Sequence, residues 1–167
     1  DIIVMLHPDY QYDSKKIPDL IQPIFNNQAD IVLGSRMMSK APLDTAVQMS
    51  EQMGCLTGQG ALKGGMPLYK YISNKFLTFC ENKALGLNLS EYHTGLRAYS
   101  SDFLKKVSWQ DNSDDFLFDA QILIKAAKLR IRIAEIPIET RYFKEASQVG
   151  IFTGIKYGIG ILWELIK

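Results

Sequence analysis

At 167 residues the chain is one domain or most of one, and 47% hydrophobic against 22% charged residues excludes a disordered polypeptide. A net charge of +1 gives no basis for nucleic-acid binding. The two cysteines, Cys55 and Cys80, have no metal-ligand spacing, and no apolar run reaches the length of a membrane span. The small net charge conceals an asymmetry. Residues 1–124 hold 11 Lys/Arg and 14 Asp/Glu, whereas residues 125–167 hold 8 against 4. A basic end of that size suits a phosphate-bearing partner or an anionic membrane surface.

In chain order, Ile2 to Leu6 form an apolar, partly β-branched run that Pro8 ends. It reads as a buried strand from the interior of a sheet, with neighbours expected on both sides. Ile17, Leu20, Ile21, Ile24 and Phe25 recur at helical spacing. Pro18 fits the first turn of that helix, and Pro23 predicts a kink or two shorter pieces. Ile31 to Gly34 form a second strand, ending at Ser35-Arg36. Residues 37–66 show no period and are rich in glycine, so a long loop is expected. Pro67 starts a helix to about Leu85, with Leu68, Ile72, Phe76 and Phe79 on one side and Gly86 as its C-cap. A short strand over Leu96–Tyr99 precedes a helix capped by Ser101. Asp114 or Asp115 opens a helix through Phe118, Ile122 and Ala126. Ile131 to Ile138 form another strand, and residues 151–166 a last apolar helix.

Four places could carry chemistry. His7-Pro8-Asp9-Tyr10-Gln11 follows a strand end, where open α/β sheets bind ligands. If the backbone stays extended, Asp9 and Gln11 project to one side and offer oxygens to a hard cation. A plain polar turn is the competing reading. The His-Pro-Asp tripeptide of J-domain co-chaperones lies between two helices, which the strand before His7 rules out. Arg36, at the next strand end, can fork onto a phosphate, or be an ordinary solvated arginine. Gly64-Gly65-Met66-Pro67 leads into a helix N-terminus, where Lys70 with Ser73 or Asn74 would line an anion site; otherwise it is a common helix start. His93, within Tyr92-His93-Thr94-Gly95-Leu96-Arg97, would serve acid–base work or orient a sugar if a carboxylate from Asp114, Asp115 or Asp119 came near. Lone loop histidines more often have no such role.

The order of these segments is more specific than any one of them. Taken with Phe116-Leu117-Phe118-Asp119 and Glu135-Ile136-Pro137-Ile138-Glu139-Thr140-Arg141-Tyr142, the series resembles the family 2 inverting glycosyltransferases, from Asp1 to about Tyr157. The branch it resembles is that of the dolichyl- and polyprenyl-phosphate sugar transferases. The resemblance implies an α/β GT-A-like, Rossmann-like mixed sheet flanked by helices. It places residues 1–150 in the catalytic and acceptor half, the C-terminal portion of such a domain, with the nucleotide-binding half expected upstream. Residues 151–167 follow as an amphipathic or membrane-proximal helix.

The same resemblance implies an inverting, metal-dependent transfer from a nucleotide-diphosphate sugar to a polyprenyl phosphate or another glycan-pathway acceptor, with Mg²⁺ or Mn²⁺ as cofactor. Asp9 corresponds to the second acid of the Asp-x-Asp metal motif and Gln11 to the glutamine after it. His7 stands where the family has its other acid. Arg36, Lys70 and Ser73 correspond to residues at the acceptor phosphate. Thr94, Gly95 and Arg97 correspond to the loop lining the donor sugar, and Arg141 or Lys144 to the cation on the donor diphosphate. Asp119 corresponds to the acid of the catalytic pocket, and Asp115 is the second candidate base for a hydroxyl acceptor. The last helix, with Tyr157 and Trp163 as interfacial aromatics beside a basic stretch, is expected at the cytoplasmic face of a membrane. The alternative is a truncated or degenerate non-catalytic domain that binds a membrane or a partner.

Overall fold

The computed structural model describes residues 1–38, 61, 62, 64–140 and 150–167. Its sheet has four strands: β1 (Ile2–Leu6), β2 (Ile31–Ser35), β3 (Leu96–Ser100) and β4 (Ile133–Pro137). Their spatial order is β1-β3-β2-β4. β3 runs antiparallel to both β1 and β2, whereas β2 and β4 are parallel. It follows that β1, β2 and β4 point the same way. Their carboxyl ends, together with the amino end of β3, share one edge of the sheet. Residues 7–12, Ser35-Arg36, Thr140 and the loop Tyr92–Gly95 all leave from that edge, so the topology gathers segments far apart in sequence.

The strand residues explain the placement. Ile31, Val32 and Leu33 of β2 are wholly buried, and β2 is an interior strand. Alternation then splits the core in two. Ile31 and Leu33 pack with Tyr99, Phe103, Ile122 and Leu123 on one face. Val32 packs with Leu20, Leu96, Ala98, Ile136 and Ile138 on the other. Helix α1 (Ile17–Phe25) covers the second face and α4 (Phe118–Lys128) the first. The expected mixed α/β sheet flanked by helices is observed. Among the described residues β1 pairs with β3 on one side, and Ile3 is 42% exposed.

Smaller differences have local causes. α1 continues past Pro23 to Phe25, where the sequence had suggested two pieces. The proline stands near the helix end, and its carbonyl accepts from the backbone N–H groups of Gln28 and Ala29. α3 (Ser101–Lys106) is capped by Ser100, whose Oγ accepts from the Phe103 N–H at 3.2 Å, one residue before the serine expected. α4 begins at Phe118, after a turn in which Asp115 Oδ1 accepts from the Leu117 N–H.

α2 (Leu68–Leu85) follows Pro67 and ends at Gly86, which takes the left-handed conformation with φ +67°. Its orientation reverses the usual amphipathic arrangement. Asn74, Thr78 and Glu81 are the buried residues, whereas Leu68, Tyr69, Ile72, Phe76 and Phe79 are exposed. α5 (Ile151–Ile166) packs against α2 and α4. Gly160 lets α5 close on Leu117, the residue before α4, because a Cβ there would lie 2.8 Å from Leu117 Cδ2. α5 also leaves a stripe in solvent: Phe152, Ile155, Ile159, Trp163 and Ile166. No helix among the described residues is long and apolar enough to cross a membrane.

Candidate functional site

The carboxyl edge is organised around Glu91. This residue is wholly buried, yet it accepts from the Arg36 backbone N–H at 2.8 Å and from Arg36 Nε at 2.8 Å. Arg36 Nη2 bonds the same carboxylate and also the His93 carbonyl at 2.7 Å. From α2, Asn74 Nδ2 donates to Glu91 Oε1 at 2.8 Å. Burial pushes the Glu91 carboxyl up, and Arg36 more than offsets it, leaving the group below the usual carboxylate range. Arg36 is thus not a loosely solvated arginine. It is 8% exposed and oriented by a buried fork.

A second carboxylate holds the first in place. Glu135 of β4 accepts from the Ser90 N–H at 2.7 Å, the Ser90 hydroxyl at 2.7 Å and the Glu91 N–H at 3.1 Å. Burial pushes Glu135 up to about 7, against the three donors that favour its ionised form. Ser35 ties the end of β2 to this loop, its Oγ lying 2.6 Å from Ser90 Oγ. Lys70 stands half-buried on the first turns of α2. Burial, and then the charge of Arg36, push its ammonium down. The charge of Arg36 thus reaches Lys70, and the two cations stand near each other at this edge. Ser73 is exposed on the same helix, and Asn74 is instead bound to Glu91.

The loop before β3 is fixed from below. Arg97 is fully buried, and its guanidinium donates to the carbonyls of Thr94 at 2.8 Å, Tyr92 at 2.8 Å and Asp119 at 2.9 Å. Asp119 Oδ1 lies 3.6 Å from Arg97 Nη1, so the acid at the start of α4 is drawn to this edge. Arg97 therefore acts as a staple beneath the loop. Thr94 is buried, its hydroxyl accepting from the Leu96 N–H. Gly95 joins this loop to the one after β1. Its carbonyl accepts from the His7 N–H at 3.2 Å, and its N–H donates to the Tyr12 hydroxyl at 3.0 Å. A Cβ on Gly95 would lie 2.4 Å from His7 Nδ1, so only glycine lets the imidazole rest there. Asp115 is exposed and bonds Ser113 Oγ and the Leu117 N–H, a turn-forming role away from Arg36.

The loop after β1 supplies limited metal-binding capacity. Asp9 Oδ1 accepts from the Gln11 N–H at 3.0 Å, and Gln11 is buried. Among the described residues no three His, Cys, Asp or Glu side chains gather as a metal site. Tyr10 takes φ +58°, so the backbone between Asp9 and Gln11 is not extended and strand alternation does not set their side chains on one side, as the sequence had suggested. Arg141 and Lys144 lie outside the described residues.

Sequence reasoning overlooked Glu91, Glu135 and Glu81. A glutamate inside a strand, as at position 135, was the available signal, because an inward acid needs partners. The carboxylate that meets His93 is Glu81 of α2, at 3.1 Å, not an aspartate near α4.

The chain is 28% identical over 166 residues to the UDP-N-acetylglucosamine–dolichyl-phosphate N-acetylglucosaminyltransferase of Methanococcus voltae, covering 99% of this chain and 57% of that protein. It is 25% identical over 176 residues to the undecaprenyl-phosphate mannosyltransferase of Micrococcus luteus, covering 100% of this chain and 63% of that one. A low-salt glycan biosynthesis hexosyltransferase of Haloferax volcanii is 26% identical over 142 residues, covering 83% of this chain and 28% of that protein. The chain is similar to named polyprenyl-phosphate glycosyltransferases along nearly its whole length. It spans about three-fifths of the length of the two with the fullest overlap. No protein-family model and no solved structure matches it.

Proposed function

We propose that this chain forms the catalytic and acceptor part of a glycosyltransferase that moves a sugar from a nucleotide-diphosphate donor to a polyprenyl phosphate, with inversion, on a GT-A-like fold of family 2. The observation that carries the reading is Arg36, aimed by the buried Glu91 at the carboxyl edge of the sheet, with Lys70 close enough for its charge to feel that of Arg36. The names of the similar proteins supply the class of acceptor.

In this reading Arg36 and Lys70 hold the acceptor phosphate, with Ser73 available at the helix surface. A phosphate oxygen is already ionised and attacks the anomeric carbon without a strong base. The bond from that carbon to the donor diphosphate breaks, and its electron pair leaves on the diphosphate. Positioning and charge neutralisation account for the acceleration. The loop Thr94–Gly95, stapled by Arg97, faces the donor sugar, and Asp119 or Asp115 would act as base only for a hydroxyl acceptor. Arg141 or Lys144 meets the donor diphosphate. Asp9, Gln11 and His7 would hold a Mg²⁺ or Mn²⁺ together with oxygens of the donor, and the ion would supply charge neutralisation for the leaving group.

The exposed stripes of α2 and α5 support peripheral attachment to a cytoplasmic membrane face, where a lipid acceptor resides. Burying a large apolar side chain fully is worth about 1.5–3 kcal/mol, so leaving ten of them partly in water marks a surface with another use. The non-catalytic alternative draws on one observation, the thin metal-ligand set.

The test separates acceptor from donor. Arg36→Lys keeps a charge beside Glu91, which an alanine would leave buried and unpaired. Arg36→Lys and Lys70→Ala should each raise the acceptor KM about tenfold or more, the scale of one charge-assisted contact. The KM for the nucleotide sugar should stay within about twofold. Equal loss on the donor side would assign these cations to the nucleotide. A wild-type protein that transfers none of the common nucleotide sugars would favour the non-catalytic alternative.

A further inference from the structure

His93 is held at both ends by different parts of the molecule. Its carbonyl accepts from Arg36 Nη2 at 2.7 Å. Its ring lies between two helices, with Nε2 3.1 Å from Glu81 Oε2 on α2 and Nδ1 3.1 Å from the Tyr157 hydroxyl on α5. The Tyr157 ring also meets the imidazole edge-on, with centroids 5.7 Å apart. The Glu81 side chain is 1% exposed and that of His93 10%. Glu81 Oε2 and His93 Nε2 face each other at ion-pair distance, and neither atom has a hydrogen-bond partner among the described residues.

We propose that His93 is a positioning residue that couples the seating of α5 to the aim of Arg36. The Tyr157 hydroxyl holds the ring while Glu81 faces its other nitrogen; the ring fixes the backbone of residue 93, and that backbone carbonyl fixes the outer edge of the guanidinium. α5 carries one of the two exposed apolar stripes, so whatever engages that stripe acts on the helix that seats His93. Its consequence for acceptor binding rests on the reading above; the structural coupling itself does not.

Tyr157→Phe is the variant of choice. It removes the hydroxyl on Nδ1 and keeps the ring packing, where His93→Ala would strand Glu81 and risk the fold. The readout is solvent exchange of the arginine Nε–H groups by ¹⁵N NMR, with Arg36→Lys used to assign the Arg36 signal. Both Arg36 Nε–H and Arg97 Nε–H are buried and bonded, so both should exchange slowly in the wild type. In Tyr157→Phe, Arg36 Nε–H should exchange about tenfold or more faster, the loss of one hydrogen bond's worth of restraint. Arg97 Nε–H bonds the Thr94 carbonyl, one residue further along the loop, so it should accelerate less than Arg36 Nε–H does. Unchanged Arg36 exchange overturns the inference, and equal acceleration of both signals does too, since it means general loosening.

Farnesyl phosphate in detergent micelles, titrated calorimetrically, then separates this inference from the functional reading. Weaker binding by Tyr157→Phe than by wild type supports the coupling. Binding lost in Arg36→Lys but intact in Tyr157→Phe overturns the coupling's consequence for acceptor binding and leaves the reading standing. Arg36→Lys binding as wild type overturns the reading, with the exchange result still deciding the coupling.

Discussion

At the scale of single residues, the site depends on the buried charge pair of Arg36 and Glu91. Glu91 has no access to solvent and holds the arginine backbone and guanidinium together. Removing one member of such a pair strands the other. Glu91→Ala should therefore cost about 3–5 kcal/mol, read as a fall in the urea midpoint at unchanged slope. Replacing Arg36 and Glu91 together by apolar residues of similar volume should restore most of that stability and none of the acceptor binding. A cost of less than about 1 kcal/mol for Glu91→Ala would mean that Arg36 finds water or another acid, and that its aim is not set by this fork.

At the scale of elements, two features give predictions of different kinds. The first is the contact of β4 with the loop before β3 through Glu135. Its carboxyl is pushed up to about 7 by burial, against an ordinary value of 4.5. Between those values the folded protein holds a proton that the unfolded chain has released. Stability from this group is therefore present below pH 4.5 and falls as pH rises toward about 7, after which it is flat. Glu91 has the opposite sign, its stabilisation being lost only as pH falls below its ordinary value. Glu135→Gln should remove the decline over the upper window and leave the acid side unchanged. Chemical denaturation at a series of pH values checks this, and a wild-type curve that rises from pH 5 to pH 7 through Glu135 would contradict it.

The second feature is the pair of apolar stripes on α2 and α5. Interfacial helices bind through apolar area and through attraction to anionic lipid. Ile159→Glu with Ile72→Glu, both at exposed positions, should leave the melting temperature nearly unchanged. The double variant should lower co-sedimentation with vesicles containing phosphatidylglycerol by about tenfold. Equal sedimentation of variant and wild type would remove the membrane from the account.

At the scale of the whole molecule, what the sequence revealed follows from how local each signal is. Strand β2 was legible because a run of β-branched and aliphatic residues can hardly be anything but a buried strand. The limits of α2 were legible because Pro67 and Gly86 act on the backbone next to them. Its buried face was not: helical spacing finds an apolar stripe but does not say which side the protein covers. Here Asn74, Thr78 and Glu81 are covered because Glu91 and His93 need partners, and those needs arise from residues that are neighbours only after folding. The same holds at the site. Arg36 and Lys70 could be singled out by their positions after a strand and at a helix start. Glu91, which orients Arg36, stands in an unremarkable polar loop. Gly95 could be noticed, but its reason, the His7 imidazole packed against it, required the β1–β3 register.

The central claim is that Arg36 and Lys70 receive a phosphate that is the acceptor of a sugar. The most direct measurement uses purified full-length protein and a panel of radiolabelled nucleotide sugars, offered in parallel polyprenyl phosphate and the corresponding polyprenol. The account predicts label on the polyprenyl phosphate from at least one donor, little or none on the alcohol, and loss of that transfer in Lys70→Ala at low acceptor concentration. Transfer to the alcohol as fast as to the phosphate, or transfer to the phosphate that Lys70→Ala and Arg36→Lys leave untouched, would contradict it.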